Sequence, residues 1–464
     1  MAEQRTKRPV IIFIFLLLFV SIAPGISGAG IVERVQETTL PNGLKVIFLE
    51  NHKAPVVTFQ VWYRVGSRNE SWGKTGLSHM LEHMMFKGTD KVGPEEFSRI
   101  IQENGGNDNA FTSSDCTAYY TNISADRVNI PLELEADRIQ NLVLREKDFL
   151  TERMVVMEER RLRTEDNPQA FLYEQIEAAA YQIQPYHWPT IGWMEDIEHF
   201  TLEDIKGHYA TYYNPANAFI VVVGDVRKET LFPMIEKAFG AIRKGRAPDQ
   251  ARDTEQPQRG ERRVVVKREA QTPSLVMGYH VPNVHSPDGY VLEVIEGILS
   301  GGKSSRLYRQ FVRDKQLVVD ISAGNSLLSR DPGLFYISAS IRPGKEIAQI
   351  ETLIDREIET LGKEPVGDDE LQKVKNQLEA SFLYGQDSPF RQAMMLAQYE
   401  IASGWRNIDG YIPAIRKVSP EDIMRVAKEY LVPDNRTVGV LIPIPPKAGK
   451  ALEQAPVMKE RMTR

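Results

Sequence analysis

The run His79-Met80-Leu81-Glu82-His83 constrains this chain more than any other. An α-helix advances about 100° per residue, so residues four apart stack on one face, one turn from each other. Two imidazoles stacked in this way can grip a single Zn²⁺ ion, and Glu82 lies beside the same point. The order H-x-x-E-H reverses the commoner H-E-x-x-H, and both patterns serve metal-assisted hydrolysis. Two histidines four apart with an acid between them also occur on solvated helix faces, so the neighbours decide. Met80, Leu81, Met84, Met85 and Phe86 put apolar side chains around much of the turn, which predicts a buried helix. Burying two histidines and a glutamate is costly unless they are paired or bound to metal. Gly76-Leu77-Ser78 leads into the helix, and Gly88-Thr89 offers its stop.

A catalytic zinc needs a third protein ligand and keeps the fourth position for water. The best candidates lie in Glu152-Arg153-Met154-Val155-Val156-Met157-Glu158-Glu159-Arg160-Arg161. Glu152 and Glu159 are seven apart, so a helix presents them one above the other on one face, whereas Glu158 points about 100° away. A charged surface helix fits the same segment when it is read alone.

Together these features resemble the pitrilysin family of zinc metallopeptidases, the inverzincins, to which insulin-degrading enzyme and the mitochondrial processing peptidase belong. The family follows H-x-x-E-H with a ligand glutamate well downstream; here Glu159 lies 76 residues after His83. The string Glu-Arg-x-Val-x-x-x-Glu matches with Glu152 and Glu159 at its ends. Further matches are Leu40-Pro41-Asn42-Gly43-Leu44, His83-Met84-Met85-Phe86-Lys87-Gly88-Thr89, Asn109-Ala110-Phe111-Thr112 and Tyr213-Asn214-Pro215-Ala216-Asn217 running into Val221-Val222-Val223-Gly224-Asp225. The resemblance is dense in the first half of the chain and thinner in the second. It implies one Zn²⁺ per chain on His79, His83 and Glu159, Glu82 as general base, and Glu152 behind a ligand imidazole. It also implies that Asn109, Ala110, Phe111 and Thr112 belong to an edge strand that takes the substrate peptide as an added strand. The activity implied is hydrolysis of peptides or unfolded protein segments, with no covalent enzyme intermediate.

Residue types agree with that strand. Asn109 to Ser124 is rich in β-branched and aromatic residues, and Gly105-Gly106 marks a turn before it. Cys116, the single cysteine, falls on the expected strand and reads as a small packing residue near the metal; with one cysteine no intrachain disulfide can form.

The expected fold class is α+β, with two homologous domains, each a mainly antiparallel sheet packed with helices, together forming a clamshell half-chamber. Internal duplication supports this. Thr201-Leu202-Glu203-Asp204-Ile205, ending at Tyr213-Asn214-Pro215 before a valine-rich strand, has its counterpart in Val418-Ser419-Pro420-Glu421-Asp422-Ile423, ending at Pro433-Asp434-Asn435 before Thr437-Val438-Gly439-Val440-Leu441. The expected order is an N-terminal peptidase domain (30–243), a charged, proline-containing linker (244–262), a second domain (263–446) and a charged tail (447–464). Residues 1–29 read as a signal peptide: Arg5, Lys7 and Arg8 precede the apolar run 10–20, and Ser27-Gly28-Ala29 offers a small-residue cleavage site. An uncleaved anchor is the alternative and would be the only link to a membrane. The implied location is across an inner membrane, in a bacterial periplasm. The net charge of −6 gives no support for nucleic-acid binding.

The second half departs from the family in one respect. Ser300-Gly301-Gly302-Lys303-Ser304-Ser305-Arg306-Leu307-Tyr308 resembles the family's Gly-rich turn, without P-loop spacing. Members that work alone carry an arginine and, seven positions later, a tyrosine that grip substrate. Arg313 fits the arginine, but Asp320 stands at the tyrosine position and Leu317 replaces a glycine. The resemblance then implies a zinc subunit that pairs with a homologous sister lacking zinc. Alternatives are a homodimeric peptidase and a non-catalytic assembly subunit on the same fold.

Overall fold

The computed structural model describes residues 30–249 and 254–445. The expected signal peptide 1–29, the charged tail 447–464 and part of the linker lie outside those residues. Eleven strands among the described residues form two mixed sheets.

The first sheet contains β1 (Val35–Thr39), β2 (Lys45–Glu50), β3 (Val56–Tyr63), β4 (Asn107–Thr112), β5 (Thr117–Ser124) and β6 (Ala218–Gly224). Their order is β1-β2-β6-β3-β5-β4. Only the β2–β6 pair is parallel. β6 is buried along its whole length, as its unbroken apolar run Ala-Phe-Ile-Val-Val-Val requires of a central strand. The second sheet contains β7 (Arg262–Glu269), β8 (Ser274–Val281), β9 (Val318–Gly324), β10 (Gly333–Ile341) and β11 (Arg436–Ile444), in the order β7-β11-β8-β10-β9. Here too one pair, β7–β11, is parallel and the others are antiparallel. The α+β class with two similar sheets is therefore as expected. The duplicated segments are alike in detail. Helices Leu202–Tyr212 and Pro420–Tyr430 both begin with a reciprocal capping box, Thr201 with Asp204 and Ser419 with Asp422, and each is followed by a 3₁₀ turn and a central strand.

Four helices matter most for the site: α1 (Leu77–Met84), α2 (Glu146–Arg160), α3 (Pro168–Ala180) and α4 (Pro389–Ala402). Alternation along β6 sends Ile220 and Val222 to the face covered by α1, where Met80, Leu81 and Met84 join the same core. Phe219, Val221 and Val223 point the other way, into a core shared with Ala393, Leu396 and Ala397 of α4. A helix of the second half thus covers the back of the first sheet. The exchange is mutual: Leu172 and Ile176 of α3 pack with Val266, Val276 and Leu441 of the second sheet.

One expectation is corrected. Asn109–Ser124 is not a single edge strand but the hairpin β4–β5. The Ser113 N–H donates to the Cys116 carbonyl, and the Ser113 hydroxyl accepts from the N–H groups of Asp115 and Cys116. A serine that satisfies backbone donors locally favours a turn over a continued ladder. Of the two strands β4 lies at an edge of the sheet, and β5 lies inside it.

Candidate functional site

α1 packs against α2 and against the β4–β5 hairpin. This contact joins parts of the chain far apart in sequence. His79, His83 and Glu159 come together so that one ligand atom from each lies within 4.8 Å of the others. His83 Nε2 is 3.2 Å from Glu159 Oε2, and His79 Nε2 is 3.7 Å from the same oxygen. The second carboxylate oxygen, Oε1, meets Arg163 Nη1 at 2.8 Å. Two imidazole nitrogens and a carboxylate converging on one point match the donor set and the three-ligand count of a catalytic zinc centre. Glu158 is exposed and pairs with Arg161.

The acids around the cluster differ in their partners. Glu152 Oε1 lies 2.8 Å from His83 Nδ1, and Lys87 Nζ lies 2.5 Å from Glu152 Oε2. A carboxylate on Nδ1 directs the Nε2 lone pair toward the metal position. Glu82 Oε2 accepts a 2.6 Å hydrogen bond from the Thr112 hydroxyl. Thr112, expected as a substrate contact, therefore steers the acid at position 82 through its side chain.

Charge balance follows from these contacts. Burial, together with the neighbouring His83, pushes His79 down to about 4. Burial also works against the charged form of His83, yet its bonds to Glu152 and Glu159 win and raise it to about 9. The His83 hydrogen bond holds Glu159 below the ordinary carboxylate range. Burial raises Glu82, against the lowering effect of Thr112 and His83. A carboxylate raised in this way is better matched to taking and returning a proton near neutral pH.

The edge strand runs beside the cluster. Asn109 is exposed, and its side-chain oxygen accepts the Ala110 N–H at 2.8 Å. Ala110 packs against the core under α1, whereas Phe111 meets Trp62 edge-on on the opposite face. Two other residues stand apart. Cys116 sits in the hairpin turn, buried with Trp62 in the other core and bonded to Ser113; burial pushes its thiol up to about 12. Its thiol faces the core on the opposite side of the sheet from the histidines and is not part of the three-residue cluster. Arg313 is exposed and pairs with its neighbour Asp314, and none of its bonds among the described residues reaches the cluster. Asp320 lies exposed on β9.

Lys87, Arg163 and Glu70 join the surroundings of the cluster with weaker sequence signals. Lys87 and Arg163 each follow a ligand by four residues, which is a helical signal for a shared face. Glu70 lies in a loop and gives no periodic signal.

A sheet-and-helix duplication that brings a histidine pair and a distant glutamate together beside a sheet edge defines a two-sheet fold with one candidate metal site among the described residues. The chain belongs to peptidase family M16. The family profile described as Insulinase (Peptidase family M16) matches residues 45–192, and that described as Peptidase M16 inactive domain matches residues 199–378. The chain is 34% identical over 434 residues to the zinc protease PqqE of Helicobacter pylori, covering 92% of this chain and 97% of that protein. The crystal structure of a protease from Helicobacter pylori superposes with a TM-score of 0.84 at 35% identity, covering 88% of this chain and 99% of that one. A peptidase M16 inactive domain from Pseudomonas fluorescens shares the fold at a TM-score of 0.78 and 18% identity, covering 88% and 98% of the two chains.

Proposed function

We propose that this chain is a zinc-dependent endopeptidase that hydrolyses peptides or unfolded protein segments lying along β4. The observation that carries the reading is the convergence of His79, His83 and Glu159 one turn from Glu82 and beside a free sheet edge. A Zn²⁺ ion held there supplies Lewis-acid activation of water near neutral pH. The chain's own residues do the rest. Glu82, aimed by Thr112, takes a proton from the attacking water and returns it to the leaving amine. Glu152 holds His83 in the tautomer that presents Nε2. β4 offers main-chain groups to a substrate strand, which gives affinity with little sequence demand.

The test pairs zinc content with cleavage of a mixed unfolded-peptide pool, for residues 30–464 beside Glu82→Gln. About one zinc in both, with turnover falling at least 10²-fold in the variant, is the expected result. Retained turnover overturns the role of Glu82, and zinc-free wild type overturns the centre.

The reading extends to a partner. Among the described residues Arg313 pairs with Asp314, and an acid stands seven positions on, which supports a sister subunit supplying further substrate contacts. Full cleavage by the isolated chain, with no gain from a homologous sister, would exclude this. The N-terminal segment supports export to a periplasm, and cell fractionation tests it.

A further inference from the structure

The two ligand histidines are not held alike. Glu152 grips His83 through Nδ1, whereas the Nδ1 of His79 is buried without a hydrogen-bond partner among the described residues. The aim of His79 therefore depends on where the backbone of α1 sits. His79 is the third residue of that helix, in the turn whose N–H groups have no partner within the helix. Gly76, at the cap position, has a φ of 95° and no side chain to offer. A Cβ there would lie 2.5 Å from the Ile191 carbonyl oxygen, so no other residue fits to provide the cap.

The cap comes from a distance instead. Glu70 Oε2 accepts the Gly76 N–H at 2.6 Å, and Glu70 Oε1 accepts the Ser78 N–H at 2.7 Å. Glu70 itself stands on a fixed platform. The N–H groups of Ser67 and Arg68 donate to the carbonyls of Ser113 and Ser114 in the hairpin turn, and Tyr212 donates to the Asn69 carbonyl. One short segment thus grips the start of α1 on one side and the end of the β4 hairpin on the other.

We infer that Glu70 is a positioning residue: its carboxylate seats the first turn of α1 and thereby aims His79 at the metal, at a set spacing from β4. The inference rests on the zinc-centre reading above. Its test uses the full chain as wild type, Glu70→Ala, Glu70→Gln and Ser419→Ala, the last removing a comparable cap in the second half. Release of zinc to a chelator and the visible bands of the Co²⁺-loaded protein are measured, without reference to turnover.

Glu70→Ala is expected to release zinc about 10- to 100-fold faster and to shift the Co²⁺ bands. Glu70→Gln, which keeps one acceptor oxygen, should fall between it and wild type, and Ser419→Ala should match wild type. Equal release from Glu70→Ala and Ser419→Ala overturns the inference. Should Glu70→Ala fail to fold, a wild-type release rate in Glu70→Gln overturns it equally. A wild type that takes up no zinc overturns the centre itself, a separate result.

Discussion

His79 and His83 share one helix face but stand in different surroundings. Burial lowers His79, whereas at His83 the bonds to Glu152 and Glu159 outweigh burial and raise it. Removing the partner of Nδ1 should loosen the site, so Glu152→Ala is expected to weaken zinc affinity about 10- to 100-fold in a chelator competition. A second titration belongs to a wall of the cavity of about 890 Å³ between the two halves, lined in part by Phe111, Phe390 and Met394. There burial, with Glu296 adding to it, pushes Glu293 up to about 7. The folded protein then holds this proton where the unfolded chain, titrating near 4.5, has released it. The resulting stability is fully present below the unfolded value and is lost as pH rises through about 7. Glu293→Gln should therefore raise stability by about 1–3 kcal/mol at pH 8 and by almost nothing near pH 4.5. Thermal melts at the two pH values check this; an equal gain at both would exclude it.

At the scale of elements, the helix carrying the histidines and the strand beside it were legible to different degrees. Residues 79–83 announce themselves because ligand spacing and helical period coincide within five residues. The helix bearing Glu152 and Glu159 was legible as a face, but a charged surface helix fits the same pattern. The hairpin was not legible, because its turn depends on a serine hydroxyl satisfying two N–H groups rather than on a Gly or Pro signal. β4 invites a direct test. Ala110→Pro removes an N–H that donates to the Asn109 side chain, and an edge strand tolerates proline on its free side. KM is expected to rise about 10-fold or more with zinc content unchanged, consistent with loss of a main-chain contact. An unaltered KM would mean that substrate does not pair there.

For the whole molecule, the exchange of helices between halves sets the cooperativity. α3 lies on the second sheet and α4 on the first, and one core runs through both halves. The approach of α3 to β11 depends on Gly439, where an added Cβ would collide with Ile176 and press on Leu172. Gly439→Ala should cost about 1–3 kcal/mol, read as a lower midpoint in denaturant, although it lies far from the ligands in sequence. Unfolding should remain a single transition. Residues 30–243 expressed alone should be unfolded, because they would expose the face that α4 covers; circular dichroism of that fragment checks it.

The sequence by itself determined what short-range periodicity can encode: the histidine pair, the acid between them, the shared face of Glu152 and Glu159, and two similar halves. Capping boxes at Thr201 and Ser419 are of the same kind, since all their atoms lie within a few residues. Tertiary structure alone decided that α1 and α2 meet, so that Glu159 reaches the histidines. It also decided that β4 lies at an edge of its sheet, that Cys116 packs in the opposite core, that the halves exchange helices, and that Glu70 caps the helix carrying the histidines. Those outcomes depend on which buried faces find each other, and burial of apolar surface is non-directional, so no local pattern specifies them.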